Sequence, residues 1–410
     1  MKSPAAGPFT LESLQASPNQ LAGHYQRFKV QDRLLLSGHS HQAWPDCAFD
    51  GQRQAWLDAA EHVDQKWAYA FDQAEEVRRG YRRLLDDPTG RYCLSASTHN
   101  VLVRLISALS LSERPQFVTT DAEFHSVRRL FARLAEEGIE IVRVAAHPSD
   151  SVGERLAAAV SDRTAAVYTS TVFFRSAHIA GNLEPAAQAC RHHGTLLILD
   201  VYHQLNVVPY SLMARGLEDA YVVGGGYKYC QLGEGNAFLR FPQDCDLRPV
   251  ATGWFAEFGQ MTQEPSPHHV AYSGADNRFA GGTYDPTANY RGARVFNFLQ
   301  EHQLVPSLLR KVSQHQIRTL CRAFDDLDFD PVFVNRDRSV PLDRLGGFLP
   351  LTSPRAGELH QALLRAGVHT DFRGDILRFG PAPYLSDRQL NDAISILGEV
   401  AKNLSESVLS

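Results

Sequence analysis

Short apolar runs alternate with amphipathic stretches from residue 91 onward. The runs are Phe117-Val118-Thr119, Ile139-Glu140-Ile141-Val142, Ala165-Ala166-Val167-Tyr168, Leu196-Leu197-Ile198-Leu199 and Ala220-Tyr221-Val222-Val223. Between them, segments 125–136, 152–160 and 183–193 carry helical spacing, each closed by Gly or a polar turn. Such runs predict buried strands, and their alternation with helices predicts an α/β fold with a mostly parallel, doubly wound sheet. Ligands of these sheets sit at the carboxyl ends of the strands, so chemistry is sought just after each run.

The flanks read differently. The first 30 residues or so suit a loop or short helix, and Leu34-Leu35-Leu36 suits a short strand entering the polar turn Ser37-Gly38-His39-Ser40-His41. Residues 46–86 have helical composition, with Trp56, Val63, Trp67 and Phe71 as expected buried positions, and Asp87-Pro88-Thr89-Gly90 closes them. The pattern shifts near residue 300. A long helix is predicted over about 287–325, strands over 332–335 and 346–351, and helices over 354–366 and about 386–403. The expected organisation is an N-terminal arm (1–40), a large cofactor-binding domain (41–300) and a smaller C-terminal α+β domain (301–410).

Composition narrows the class. With 410 residues, 44% of them hydrophobic and 21% charged, the chain suits a soluble protein of two packed domains. A formal net charge of −5 leaves no basic footprint, so nucleic acid is not an expected partner. The six cysteines (Cys47, Cys93, Cys190, Cys230, Cys245, Cys321) lack CxxC or zinc spacing, which predicts reduced thiols and a cytoplasmic location. Residues 1–20 show no basic-then-apolar leader pattern, and no window approaches the ~18–20 apolar residues of a membrane span.

Two strand ends carry the candidate chemistry. Leu197-Ile198-Leu199 runs into Asp200-Val201-Tyr202-His203, an acid at the end of a buried strand that needs a cationic or hydrogen-bonding partner. Capping the next helix is the plain alternative. The following run ends in Gly224-Gly225-Gly226-Tyr227-Lys228, and a lysine buried there would be a nucleophile of lowered pKa, whereas most lysines lie in solvated loops. Together they match a pyridoxal phosphate site, in which the lysine forms the Schiff base and the acid holds the pyridinium proton.

On these residues the chain resembles the kynureninase branch of the class V aminotransferase group, a fold-type I family, over about residues 34–395. The family's Asp-Leu-Ala-His stands as Asp200-Val201-Tyr202-His203, and its Tyr-Lys-Tyr as Tyr227-Lys228-Tyr229, followed by Gly233, Gly235 and Ala237-Phe238-Leu239. Gly-Trp-Phe stands as Gly253-Trp254-Phe255, and Gly-Thr as Gly282-Thr283. Near the C-terminus come Asp371-Phe372-Arg373, Leu377-Arg378 and Gly380-Pro381-Ala382-Pro383. The resemblance implies pyridoxal 5'-phosphate bound to Lys228, which also acts as the Cα base, with Asp200 on the ring nitrogen. Ser97, Thr98 and Tyr227 would take the phosphate, Phe124 would stack on the ring, and Arg378 would grip the substrate carboxylate. His203 would lie at the ring, Trp254 on the phosphate or substrate side, and Thr283 would contribute across a homodimer. Ordinary packing or a surface ion pair is the plain alternative for Phe124, His203, Trp254 and Arg378.

The departures cluster on the substrate side. The family's Gly-Asn-Ser-Leu-Gly is Gly38-His39-Ser40-His41-Gln42 here, its Asn-Tyr-Arg-Thr-Gly is Phe173-Phe174-Arg175-Ser176-Ala177, and its Asn-Gly-Gly-Pro-Gly is Gln231-Leu232-Gly233-Glu234-Gly235. Cofactor use is thus better supported than kynurenine as the substrate. The leading expectation is hydrolytic Cβ–Cγ cleavage of a kynurenine-type amino acid to alanine and an aromatic acid, with Tyr227 as an acid/base group. The alternatives are transamination or Cβ–S cleavage of another amino acid, and a non-catalytic cofactor-binding regulator. A metal enzyme is not expected, because the His39/His41 and His192/His193 pairs lack a carboxylate at ligand spacing.

Overall fold

The computed structural model describes residues 8–258 and 269–406, so the first seven residues of the expected arm lie outside it. The N-terminal stretch holds helix α1 (Leu11–Gln15) and strand β1 (Leu34–Leu35). Helices α2 (Cys47–His62) and α3 (Lys66–Leu85) lead to β2 (Arg91–Ser95) and α4 (Thr98–Ile106). The alternating region follows as β3 (Gln116–Thr120), α5 (His125–Glu136), β4 (Glu140–Val144), α6 (Val152–Ala159), β5 (Thr164–Ser170), α7 (Glu184–His193), β6 (Leu196–Asp200), β7 (Tyr221–Gly225) and β8 (Ala237–Phe241). Helices α8 (Thr287–Glu301) and α9 (Pro306–Asp325) precede β9 (Asn335–Arg336), β10 (Leu349–Thr352), α10 (Ala356–Arg365), β11 (Val368–His369), β12 (Asp371–Arg373), β13 (Ile376–Phe379) and α11 (Asp387–Glu406).

All five predicted apolar runs are strands of one seven-stranded sheet, in the order β2-β8-β7-β6-β5-β3-β4. Its β7–β6, β6–β5, β5–β3 and β3–β4 pairs are parallel, while β8 runs antiparallel to both β7 and β2. Every residue of β3, β5, β7 and β8 is buried, which is why their sequences read as continuous rather than alternating apolar runs. Successive side chains still go to opposite faces. Val118, Val167, Leu199 and Val222 belong to one core, and Phe117, Tyr168, Ile198 and Val223 to the other.

A four-stranded antiparallel sheet, β12-β13-β10-β9, forms the C-terminal part with α10 and α11. The N-terminal stretch is stitched to it, since β1 pairs with β11 and the Gly38 amide donates to the Gly380 carbonyl at 2.7 Å. This brings the Gly38–Gln42 turn up to the carboxyl edge of the large sheet, where the Gln42 amide donates to the Tyr227 carbonyl. No helix among the described residues is long and apolar enough to cross a membrane.

Two helical expectations need correction. Residues 287–325 form two helices, because Pro306 cannot continue α8: Val305 before it is extended and Gln303 adopts a positive φ of 53°. On α2, Trp56 is 74% exposed and Val63 69%, where burial was expected. The buried face of α2 carries Ala48 and Gly51, and a Cβ on Gly51 would lie 2.6 Å from the Tyr290 carbonyl oxygen of α8. Backbones that close leave no room for indole, and Trp56 lies five positions on, about 140° around the helix. Val63 stands past the last turn. Trp67 and Phe71 are half-buried against Phe255.

Candidate active site

The carboxyl ends of β5, β6 and β7 enclose a cavity of about 280 Å³, closed on the far side by the first turns of α4 and α5. Asp200 is the last residue of β6 and pairs in register with Ser170, the last of β5. Its Oδ1 accepts from the Tyr202 amide at 2.8 Å, and its Oδ2 from the Tyr168 hydroxyl at 2.9 Å. Burial raises the Asp200 pKa, while these two hydrogen bonds and the Lys228 ammonium pull it back.

Lys228 follows the turn after β7. Gly225 shapes that turn by close approach, because a Cβ there would lie 2.3 Å from the Tyr202 hydroxyl. The lysine is 6% exposed, its Nζ lies 2.6 Å from His203 Nε2, and the rings of Tyr202, Phe124 and Tyr227 surround it at 5.0, 5.6 and 5.8 Å. Burial pushes its pKa down to about 7, with Asp200 opposing and Arg378 adding to the shift. A substantial fraction of the free amine is therefore present near neutrality, as a nucleophile or base requires. Burial and the neighbouring Lys228 hold the His203 imidazole neutral.

At the other end, Ala96–His99 lines the cavity. Ser97 caps α4 through the Asn100 amide, and the Thr98 hydroxyl donates to the Gly224 carbonyl at 3.3 Å, which ties the helix start to β7. Unpaired amides and the helix dipole make such a start favourable for an anion. Phe124 and Phe174 form the apolar wall.

Lys228, Asp200, His203, Tyr227, Ser97, Thr98 and Phe124 line one cavity. The other three do not line it. Arg378 is 3% exposed and lies behind Phe174, donating through Nη1 to the Phe174 carbonyl at 2.7 Å and pairing through Nη2 with Asp371 at 2.9 Å. Trp254 Nε1 donates to Thr283 Oγ1 at 3.2 Å, and both residues are exposed. Several residues of the site had no sequence signal. Tyr168 sat inside an apolar run and read as core, yet its hydroxyl reaches Asp200. Glu123 is buried, accepts from Thr120 Oγ1 and Ser170 Oγ at 2.6 Å each, and is pushed up to about 7 by burial. Phe174 read only as a departure from a motif.

These residues fit pyridoxal phosphate. An amine of lowered pKa, a buried carboxylate held ready to accept, an aromatic wall and a helix start at the opposite end are the complement of its aldehyde, ring nitrogen, ring face and phosphate. None of the six cysteines, all free, lines the cavity. No group of three or more His, Cys, Asp or Glu among the described residues is placed to hold a metal ion.

Comparison with known proteins agrees with this architecture. Residues 338–397 match the family described as Kynureninase C-terminal domain. No curated protein matches the chain in sequence. Among solved structures, a lysine-to-alanine variant of the cystine C–S lyase C-DES, with glycine covalently linked to its PLP cofactor, superposes with a TM-score of 0.77 at 14% identity, covering 92% of this chain and 98% of that one. The cysteine desulfurase CsdA from Escherichia coli gives 0.75 at 14% identity over 94% and 98% of the two chains. The apo cysteine desulfurase from Thermococcus onnurineus NA1 gives 0.75 at 12% identity over 94% and 98%. Pyridoxal phosphate, the cofactor expected from the sequence, is therefore also that of the first of these structures. The chain has the two-part α/β fold of these structures, as its sequence implied, and over residues 338–397 it matches the Kynureninase C-terminal domain family.

Proposed function

We propose that the chain is a pyridoxal phosphate-dependent enzyme acting on an amino acid, and that its reaction is hydrolytic Cβ–Cγ cleavage of the kynureninase kind. The observation that carries the cofactor reading is the pairing of Lys228 and Asp200 on adjacent strand ends in one cavity, with an aromatic wall and the start of α4 facing them. Bound there, pyridoxal phosphate supplies an electron sink for negative charge at the substrate Cα. Lys228 binds the cofactor through Nζ and, once displaced, takes the Cα proton, a task suited by its lowered pKa. Asp200, braced by Tyr168 and the Tyr202 amide, keeps a proton on the ring nitrogen. Ser97, Thr98 and Tyr227 orient the phosphate, Phe124 covers the ring, and His203 bonds beside Lys228. Arg378 binds the substrate carboxylate by exchanging its Phe174 carbonyl bond for the new acceptor. Tyr227 serves as acid/base near the side-chain carbonyl. Trp254 and Thr283, exposed and bonded to each other, are assigned to a homodimer contact next to the site. Six free thiols suit the cytoplasm.

The kynureninase-type C-terminal match favours hydrolysis. The likeness to a cystine C–S lyase favours Cβ–S cleavage as the second reading. A route through an enzyme persulfide is disfavoured, because no cysteine lines the cavity. The test begins with cofactor uptake. Protein given pyridoxal phosphate should absorb near ~420 nm and, after borohydride reduction, carry the added mass on Lys228. A Lys228→Ala variant that still holds cofactor covalently would overturn the assignment. Alanine and anthranilate from kynurenine identify hydrolysis, whereas pyruvate and a thiol from a cysteine derivative identify Cβ–S cleavage.

A further inference from the structure

The wall of the cavity formed by Phe124 and Phe174 has an unusual rim. His125 follows Phe124 at the start of α5, and its ring packs against Phe174 at 5.4 Å. Arg128 Nη2 lies 2.8 Å from His125 Nδ1. Arg175 follows Phe174, and its guanidinium reaches over to the β12–β13 turn, pairing with Asp375 at 2.6 Å. Arg373 and Arg378 stand on the two strands of that hairpin and share the single carboxylate of Asp371, at 2.7 and 2.9 Å.

Four guanidinium groups, Arg128, Arg175, Arg373 and Arg378, therefore gather near His125 and Phe174, behind the cavity wall, with two carboxylates, Asp371 and Asp375, to balance them. They lie close enough that, after burial, these four are what hold His125 below its ordinary pKa. His125 adds no counter-charge, and a surplus of two positive charges remains. One is accounted for by the α-carboxylate that any amino-acid substrate brings. Nothing in a neutral side chain answers the other, while Arg128, Arg175 and His125 are exposed next to the wall residues Phe124 and Phe174.

We infer that this rim selects amino acids whose side chain carries an anionic group beyond Cβ, with Arg128 and Arg175 as specificity-determining residues. This rests on the proposed amino-acid chemistry and narrows its substrate. The reaction is of the kynureninase kind, but the preferred side chain is acidic rather than the neutral aromatic one of kynurenine. Arg175 is the residue that changes partner, leaving exposed Asp375 for the incoming carboxylate, and a charge-assisted hydrogen bond of this sort corresponds to about tenfold in affinity.

The experiment is a titration of the pyridoxal phosphate-loaded protein at low salt with L-aspartate and L-glutamate against L-asparagine and L-glutamine, followed by cofactor absorbance and by calorimetry. The better-fitting acid should bind at least about tenfold tighter than its own amide. Arg128→Gln and Arg175→Gln should each shrink that acid-to-amide ratio, and the double variant should bring it to within about twofold of unity. Equal binding of acid and amide by the unaltered protein overturns the inference, as does a ratio that neither substitution moves. Protein that takes up no cofactor refutes the proposed function instead. In that case succinate against succinamide, titrated calorimetrically, decides the rim by the same ratio.

Discussion

Replacing Lys228 by Met removes a buried amine and keeps the length of its stem, which makes it a sensitive probe of the site's electrostatics. The lysine pKa falls from 10.5 to about 7 on folding. Below pH 7 both states carry the proton, and the folded state bears the full penalty, about 5 kcal/mol at 1.36 kcal/mol per unit. Between pH 7 and 10.5 the unfolded chain holds a proton that the folded one has lost, so this group makes stability rise with pH in that window. Leaving His203 Nε2 without its partner costs the variant about 1 kcal/mol at every pH. The cofactor-free Lys228→Met protein should therefore be about 4 kcal/mol more stable than the unaltered one at about pH 6.5. The difference should shrink by about 1.4 kcal/mol per pH unit and be nearly gone at about pH 9.5. Urea unfolding of the two proteins side by side measures it, and groups common to both cancel. A difference that stays flat across that range would refute the lowered lysine pKa and the free amine it provides.

Glu123 gives the opposite dependence. Its pKa rises from 4.5 to about 7, so over that window the folded state keeps a proton that the unfolded state has released and stability falls as pH rises. Glu123→Gln should abolish this fall, and thermal melts at several pH values would expose a slope that persists. The Arg240–Asp87 pair, 2.7 Å apart and at most 2% exposed on either side, predicts a loss of about 3–5 kcal/mol for Arg240→Met, which strands the carboxylate. Most of that loss should return when Asp87→Leu is added, and denaturant midpoints read both effects. Gly80→Ala should lower stability by about 1–3 kcal/mol, because its Cβ would lie 2.4 Å from the Phe296 ring. A rise of about 1 kcal/mol, as helix propensity alone would give, would show that Phe296 yields freely.

Much of the architecture was legible in the chain. The runs ending at Leu199 and Val223 are strands because a segment buried on both faces must be apolar throughout, and the polar residue that breaks such a run marks the strand end where ligands bind. Asp200 and Lys228 were found that way. Tyr168 and Glu123 were not, since a tyrosine inside a buried run and a glutamate in a turn look the same whether they bond to polar neighbours at a strand end or fill space. Trp56 misled for a related reason. Its helical phase was readable, but not that the opposite face of α2 would lie against the backbone of α8.

The sequence by itself thus determined the local matters. These are the strands and their ends, and the lysine and acid proposed to hold one cofactor. Tertiary structure decided which distant segments meet. It put Arg175 against the hairpin of Arg373 and Arg378, sent Trp254 and Thr283 outside the cavity, and left a positive rim on a chain whose net charge is negative. Charge and burial depend on neighbours in space, and a pattern read along one dimension carries no record of them.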